Sequence, residues 1–460
     1  MIMHRPIVAG LAALLLASCH GGSGSGSGCI LCGPFAANLE GSVSGLVGYR
    51  LTLQNGASPL NSPLNGRGAN GSGILFGTAN FNSNYNITVR TQPTNPPQTC
   101  VVANGTGNTG TGNVTNIAVT CTINPPRFLY VANRGAGNVS GFSINAASGV
   151  LTPIPGSPFA SGGNPVAIAV DPTGAYAYIA NQSSGSISAF TIDRTSGVLI
   201  AVGGSPYGTP LNPTSVAIDP SGSFVFVTGA TGGTVSVNTI TPGSGTLVPL
   251  AGSLTATGRS PSSVIVDPLG QFAYVANQVD GTFAALTIDT TGLLSADMGS
   301  PFAAGASPRA LALDPTGHFL YIANSAANTL SAMGGVPVNS TVAVAPLSGS
   351  PYATGITPTS IAVEPVDDFL YVANQGSTNV SGFKLGSAGT LTALAGSPFA
   401  AGMLPAAVAV DPTGKFAYVA NSGDNTISAY TIDPASGALA ALSGSPFPTG
   451  LQPAAIAISD

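Results

Sequence analysis

The sequence predicts an all-β protein, a seven-bladed β-propeller preceded by a small β-sandwich domain. The first observation is a segment ending in Tyr-Val-Ala-Asn or a close variant. Its aromatic residue falls at Tyr130, Tyr178, Phe226, Tyr274, Tyr321, Tyr371 and Tyr418, in steps of 48, 48, 48, 47, 50 and 47 residues. A second motif, Gly-Ser-Pro-Phe/Tyr, keeps the same beat from Gly156, Gly204, Gly299, Gly349, Gly396 and Gly444. Periods of about 40 to 50 residues carrying several short strands mark a propeller rather than a helical array. The third observation is that the repeat is absent before Arg127, where alternating strand-like runs of another spacing appear.

The chain begins with export signals. Residues 1–18 hold one Arg, an apolar run from Ile7 to Ala17 and then Ser18, which reads as a secretory signal peptide. Its apolar run is too short to span a bilayer as a mature helix. Leu16-Ala17-Ser18-Cys19 resembles a bacterial lipobox, which makes Cys19 the expected lipidation site and mature N-terminus. His20 follows where an inner-membrane retention signal would usually place Asp, so an outer-membrane lipoprotein is expected, on its periplasmic or cell-surface side. The Gly/Ser run within residues 19–33 is a flexible tether with a reach of roughly 16 Å.

Residues 34–123 read as the small sandwich. Gly45 to Leu53, Ile74 to Phe76, Tyr85 to Val89, Thr99 to Val102 and Val114 to Thr122 are strand-like and punctuated by Gly, Asn and Pro. The expected pairing is antiparallel. The runs from Gly41 to Gly56 and around Gln98-Thr99-Cys100 resemble an immunoglobulin-like module common in exported bacterial proteins. Four cysteines besides Cys19 allow three connectivities in an oxidising compartment. Cys100 and Cys121 each lie in a strand-like run and are expected to bridge neighbouring strands. Cys29 and Cys32 have redox-motif spacing without a βαβ context, so a local structural bridge is expected there, and no zinc site. Asn124-Pro125-Pro126 is a stiff linker to the propeller at 127–460.

One copy of the repeat shows the blade. Pro405 to Val410 is a continuous apolar strand, as expected between two neighbouring blades. Asp411-Pro412-Thr413-Gly414 is a turn, Phe416 to Ala420 the second strand, Thr426 to Ile432 the third and Ala438 to Leu442 the fourth. The propeller opens at Arg127-Phe128-Leu129-Tyr130, already a second strand, and ends on Pro453 to Ile458, a first strand. The two ends are therefore expected to share one blade, closing seven blades without a free edge.

Charge is scarce: 6% of residues are ionised, against roughly 25% in ordinary soluble domains, and the net charge is −5. No basic patch exists, which excludes nucleic acid as an expected partner. Asp171, Asp219, Asp267, Asp314, Glu364 and Asp411 occupy the first turn, and Asp193, Asp289 and Asp433 end third strands, all as turn formers. His318 holds a variable, solvent-facing turn position. No acid–base pair converges on the loop face, so no catalytic residue, metal or cofactor is assigned. Asn133, Asn181, Asn277, Asn324, Asn374 and Asn421 form a ring in which each is expected to cap a strand end by bonding its own loop backbone. Residues entering the inner strands are better placed for a ligand: Asn164, Asn212, Arg259, Arg309, Thr357 and Gln452. Arg259 and Arg309 are the cations among them, suited to a carboxylate or phosphate. Asp280 and Asp424 read as loop-turn residues.

Tyr-Val-Ala-Asn, with Asp-Pro-Thr-Gly before it and Gly-Ser-Pro-Phe after it, resembles the YVTN-repeat, lactonase-like seven-bladed propellers over Arg127 to Asp460. The chain has no Trp, so Trp-Asp, quinoprotein and sialidase-type propellers lose their signature residue. The resemblance implies relatives of the 6-phosphogluconolactonase-like type, whose sites use Arg, His and Glu on the loop face. The family's Pro-Arg-His and Val-Asn-Glu are matched by Pro308-Arg309-Ala310 and Ala323-Asn324-Ser325, with Ala for His and Ser for Glu. Two functions follow as expectations. One is a binding or scaffold propeller at the cell envelope, lipid-anchored, holding a glycan, peptide or envelope protein on its Asn/Thr/Ser-rich loop face. The other is a lactone hydrolase with a site rebuilt around Arg309 and Arg259.

Overall fold

The structure, a computed structural model, describes residues 36–60, 63–209, 212–336, 344–366 and 368–459. The segments expected to be signal peptide and tether, with Cys19, Cys29 and Cys32, lie outside the described residues. Seven radial sheets follow the repeat, as in Pro405–Val410, Phe416–Asn421, Thr426–Ile432 and Leu439–Ala441, ordered from the axis outward. The second strands are the most buried elements because they are covered by neighbouring blades on both faces; Phe416–Asn421 is buried throughout. The Gly-Ser-Pro-Phe turn brings its aromatic residue back onto the third strand, where Phe447 pairs with Ile427.

The last blade is composite. Pro453–Ser459 pairs antiparallel with Phe128–Asn133, with Ile456 opposite Val131. Ala455 and Ala457 pack on the core shared with the blade of residues 165–201, while Ile456 and Ile458 pack on the core shared with the blade of residues 405–441. The ring is thus sealed on both faces of the C-terminal strand.

Tyrosine hydroxyls lace neighbouring blades together at five seams. Tyr178, Tyr321 and Tyr371 donate to the carbonyls of Gly245, Gly389 and Gly437 at 2.9, 2.9 and 2.7 Å. Across the seam, Tyr418 donates to Gly149 at 2.9 Å and Tyr130 to Gly197 at 2.8 Å. Gly149 has φ +71° and a Cβ there would meet the Phe416 ring at 2.4 Å, so both conformation and space demand glycine.

Burial pushes the hydroxyls of Tyr130, Tyr178, Tyr321 and Tyr418 far above the usual phenol range, and nearby carboxylates push the same way. In the unfolded chain these phenols ionise near pH ~10. Above that pH the native state binds more protons than the unfolded state, so stability falls as pH rises, by about 1.4 kcal/mol per pH unit for each tyrosine. The urea midpoint is therefore expected to hold level up to about pH 10 and then drop steeply, with a shallower drop in Tyr418→Phe. A midpoint unchanged well above that pH contradicts the lacing.

The N-terminal module packs two sheets, one ordered Gly71–Asn80, Ala36–Ser44, Val114–Ile123, Gln98–Ala103, the other Ser58–Pro59, Thr52–Asn55, Asn84–Thr91, Thr106–Asn108. The expected antiparallel pairing needs one correction: Ala36–Ser44 runs parallel to Val114–Ile123. The long connection between these strands permits this, whereas hairpin-linked strands must be antiparallel. Cys100 and Cys121 lie directly opposite one another on paired strands and form a disulfide. The module rests on the propeller face that carries the Asp-Pro-Thr-Gly turns, where the Arg67 guanidinium donates to the carbonyls of Pro365 and Val366.

Candidate functional site

A three-residue device at the start of each inner strand builds the mouth of the axis opposite the module. The residue before the strand's Pro takes a left-handed conformation in all seven blades: Asn164, Asn212, Ser260, Ser307, Thr357, Leu404 and Gln452, with φ between 51° and 62°. Its carbonyl accepts the backbone N–H of the residue that follows the second strand, as Gln452 does from Arg134 at 2.9 Å and Thr357 from Gln375 at 2.9 Å. The residue after the Pro is then the extra one in a β-bulge, again in every blade: Val166, Thr214, Ser262, Arg309, Thr359, Ala406 and Ala454. A bulge re-aims the extra side chain out of the regular pleat, and here all seven line one axial cavity of about 550 Å³.

Thr214, Ser262 and Thr359 use their hydroxyls to bond the Pro carbonyl of the next blade, at 2.6, 2.9 and 3.2 Å. Arg309 occupies the equivalent place and instead extends into the cavity. Arg134 reaches the same cavity from the far end of a second strand. Its Nε donates to Asn164 Oδ1 at 2.8 Å, and Asn164 donates to Gln182 Oε1 at 3.1 Å, which fixes the guanidinium's direction. Gln182, Gln278, Gln375 and Gln452 supply amides to the wall. Among the described residues lining the cavity there is no Asp, Glu, His, Lys or Cys. Enclosure by the cavity wall lowers the pKa of Arg309, and the like charge of Arg134 lowers it further. A guanidinium stays charged through such a shift. The site is therefore two cations set among neutral hydrogen-bonding groups, suited to a carboxylate or phosphate with hydroxyls around it.

Of the residues expected from the sequence, Arg309, Asn212 and Gln452 meet in this cavity. The six occupy three different registers of the mouth rather than one. Asn164 acts through Arg134, and Thr357 holds the rim, its N–H donated to Asn328 at 2.8 Å. Arg259 stands on the exposed rim with its charge already matched, its Nε 2.5 Å from Asp280, whose carboxyl the same Arg holds below the usual range. Asp424 likewise accepts the N–H of Met403 at 2.5 Å, so both aspartates are loop staples.

The asparagine ring differs from expectation in its partners. Each side chain is buried, and the amide donates mainly across to a third-strand hydroxyl, as Asn421 does to Ser428 at 2.9 Å and Asn133 to Ser140 at 2.8 Å. The oxygens of Asn421 and Asn181 accept from the incoming loop, at Gly402 and Gly162, while those of Asn277, Asn324 and Asn374 are buried without a hydrogen-bond partner. Burial of an amide makes an unpaired N–H costly, and the third-strand hydroxyls supply the acceptors. His318 is an exposed turn residue bonded to Thr316. Arg134, Gln182, Gln278 and Gln375 were not expected from the sequence. Their signal was the residue after each Tyr-Val-Ala-Asn, which alternates among Arg, Gln, Ser and Ala.

Fold and cavity together define a seven-bladed propeller with a polar axial cavity. The chain belongs to the seven-bladed β-propeller lactonase family, whose model matches residues 98–211, 249–335 and 338–457. No curated protein matches the sequence. Among solved structures it is similar to a candidate 6-phosphogluconolactonase from Bacteroides fragilis, at 20% identity and TM-score 0.64 over 73% of this chain and 99% of that one. A similar match is a periplasmic gluconolactonase from Pseudomonas aeruginosa, at 17% identity and TM-score 0.62 over 73% of this chain and 99% of that one. At such identities the likeness is one of fold.

Proposed function

We propose that the protein is an exported binding propeller, anchored in the outer membrane through a lipid on Cys19, that holds a small carboxylate- or phosphate-bearing molecule in its axial cavity. The carrying observation is the convergence of Arg134 and Arg309 on a wall whose described residues include no carboxylate. Elsewhere the protein neutralises a mouth cation, as Asp280 does Arg259. Here the two charges are left for a ligand, and the glutamine amides and Ser/Thr hydroxyls suit a hydroxylated body such as a sugar acid, or a glycan or peptide presenting an acidic group.

Lactone hydrolysis is the second reading, and family membership favours it. Arg309 would then polarise the lactone carbonyl and hold the product carboxylate. Water must lose a proton to attack, and the wall offers amides, hydroxyls and guanidiniums rather than a general base. A panel of sugar and aliphatic lactones and their parent acids separates the two. The binding reading predicts calorimetric affinity for the acids and no lactone turnover above the spontaneous rate. Turnover that Arg309→Ala abolishes would defeat it.

The anchor has its own test. Labelled fatty acid should mark the wild-type protein and leave Cys19→Ala unmarked; equal labelling of both refutes lipidation at Cys19.

A further inference from the structure

The mouth of the cavity is chemically lopsided. Two residues before each inner-strand Pro, three consecutive blades carry Ile356, Met403 and Leu451, while Gly163, Leu211, Arg259 and Ala306 hold that place elsewhere, Leu211 outside the described residues. Ile356, Met403 and Leu451 are 56%, 57% and 57% exposed, and Leu404, beside Met403, is 45% exposed and also lines the cavity. Large apolar side chains scattered singly over a surface are ordinary, but a contiguous group beside a cavity marks an interaction site.

The fold holds this crescent in place. The carbonyls of Ile356, Met403 and Leu451 accept N–H bonds from Gly376, Gly423 and Gly135 at 2.9, 2.9 and 3.0 Å. A Cβ on Gly376 or Gly423 would come within 2.7 or 2.8 Å of the Ile356 or Met403 side chain, so glycine makes room for each. The crescent is also placed between the two cations. Arg309 belongs to the blade before Ile356, and Arg134 to the blade of Leu451, so the apolar arc runs from one guanidinium round to the other.

We propose that the ligand is amphipathic: an anionic head on Arg134 and Arg309, with an aliphatic or aromatic body lying over Ile356, Met403, Leu404 and Leu451. This rests on the proposed anion site and narrows its ligand class from polyhydroxylated acids to acids with an apolar body. Charge complementarity commits the occupant to a small anion, because a neutral apolar body leaves both guanidiniums unmatched.

The test titrates the full-length mature protein with decanoate, below its micelle concentration, and with gluconate. Three proteins are compared: wild type, Ile356→Ser/Met403→Ser/Leu451→Ser, and Arg309→Gln. A buried methylene contributes about fourfold in affinity. Decanoate is therefore expected to bind wild type at least about tenfold more tightly than gluconate. The triple variant should lose that margin while keeping its gluconate affinity, and Arg309→Gln should weaken both. Equal affinities that both depend on Arg309, or a margin that survives the triple substitution, overturn the amphipathic ligand and leave the anion site standing. Affinities indifferent to Arg309 overturn the anion site itself. Vesicle binding by wild type that the triple variant loses would assign the crescent to a membrane and overturn the proposal.

Discussion

A chain lacking residues 453–460 is expected to lose at least about 5 kcal/mol of stability, far more than eight terminal residues normally contribute. The deleted segment is not a tail. It is the inner strand of the composite blade, paired with Phe128–Asn133 along its length. Its removal takes Ala455 and Ala457 from one inter-blade core and Ile456 and Ile458 from another. It also leaves the buried second strand with unpaired backbone groups, and each such group costs about 1–3 kcal/mol. The Tyr130 and Tyr418 bonds across the seam then connect blades that no longer close a ring. Chemical denaturation against the full chain measures this. A midpoint unchanged by the deletion would contradict closure through the C-terminal strand.

Arg309→Gln is expected to weaken binding of a small carboxylate by about 10- to 100-fold, the range for a charge-assisted contact of ~1.5–3 kcal/mol. Arg134→Gln should act in the same direction. The double variant should fall short of the summed effects, because the two charges serve one anion. Stability should move the other way. Each substitution relieves repulsion between guanidiniums that lack a counter-charge, so neither variant should unfold more readily than wild type. Arg259→Gln is the control. Its charge is already spent on Asp280 at the rim, so affinity should stay within about twofold. Calorimetry with gluconate checks all four. Loss of binding in Arg259→Gln alone, with Arg309→Gln unaffected, would move the site to the rim.

The fold was legible because its turn and packing residues repeat. The aromatic residue of each second strand and the acidic residue of the first turn recur on one beat, and the offset of the two chain ends displays the composite blade. The parallel strand of the module was not legible, since Ala36–Ser44 carries an alternation that either pairing direction accepts. The site was only half legible, because three registers of the mouth look alike in sequence. Arg259 stands two residues before its Pro, on the rim, and Arg309 one after, where the bulge points inward. Aligning the copies on that Pro separates the two arginines. Arg134 escaped because its place, just past a structural Asn, carries a different side chain in most blades.

If Arg134 and Arg309 together receive an anion at the axis, both guanidiniums must respond to one binding event. The most direct measurement follows the side-chain Nε–Hε resonances of the arginines by NMR while gluconate is added to the full-length mature protein. The Arg134 and Arg309 signals, assigned from the two Arg→Gln variants, are expected to shift together and saturate at one common concentration, while Arg259 and Arg67 stay still. Saturable shifts at Arg259 or Arg67 with the axial pair unmoved would contradict it.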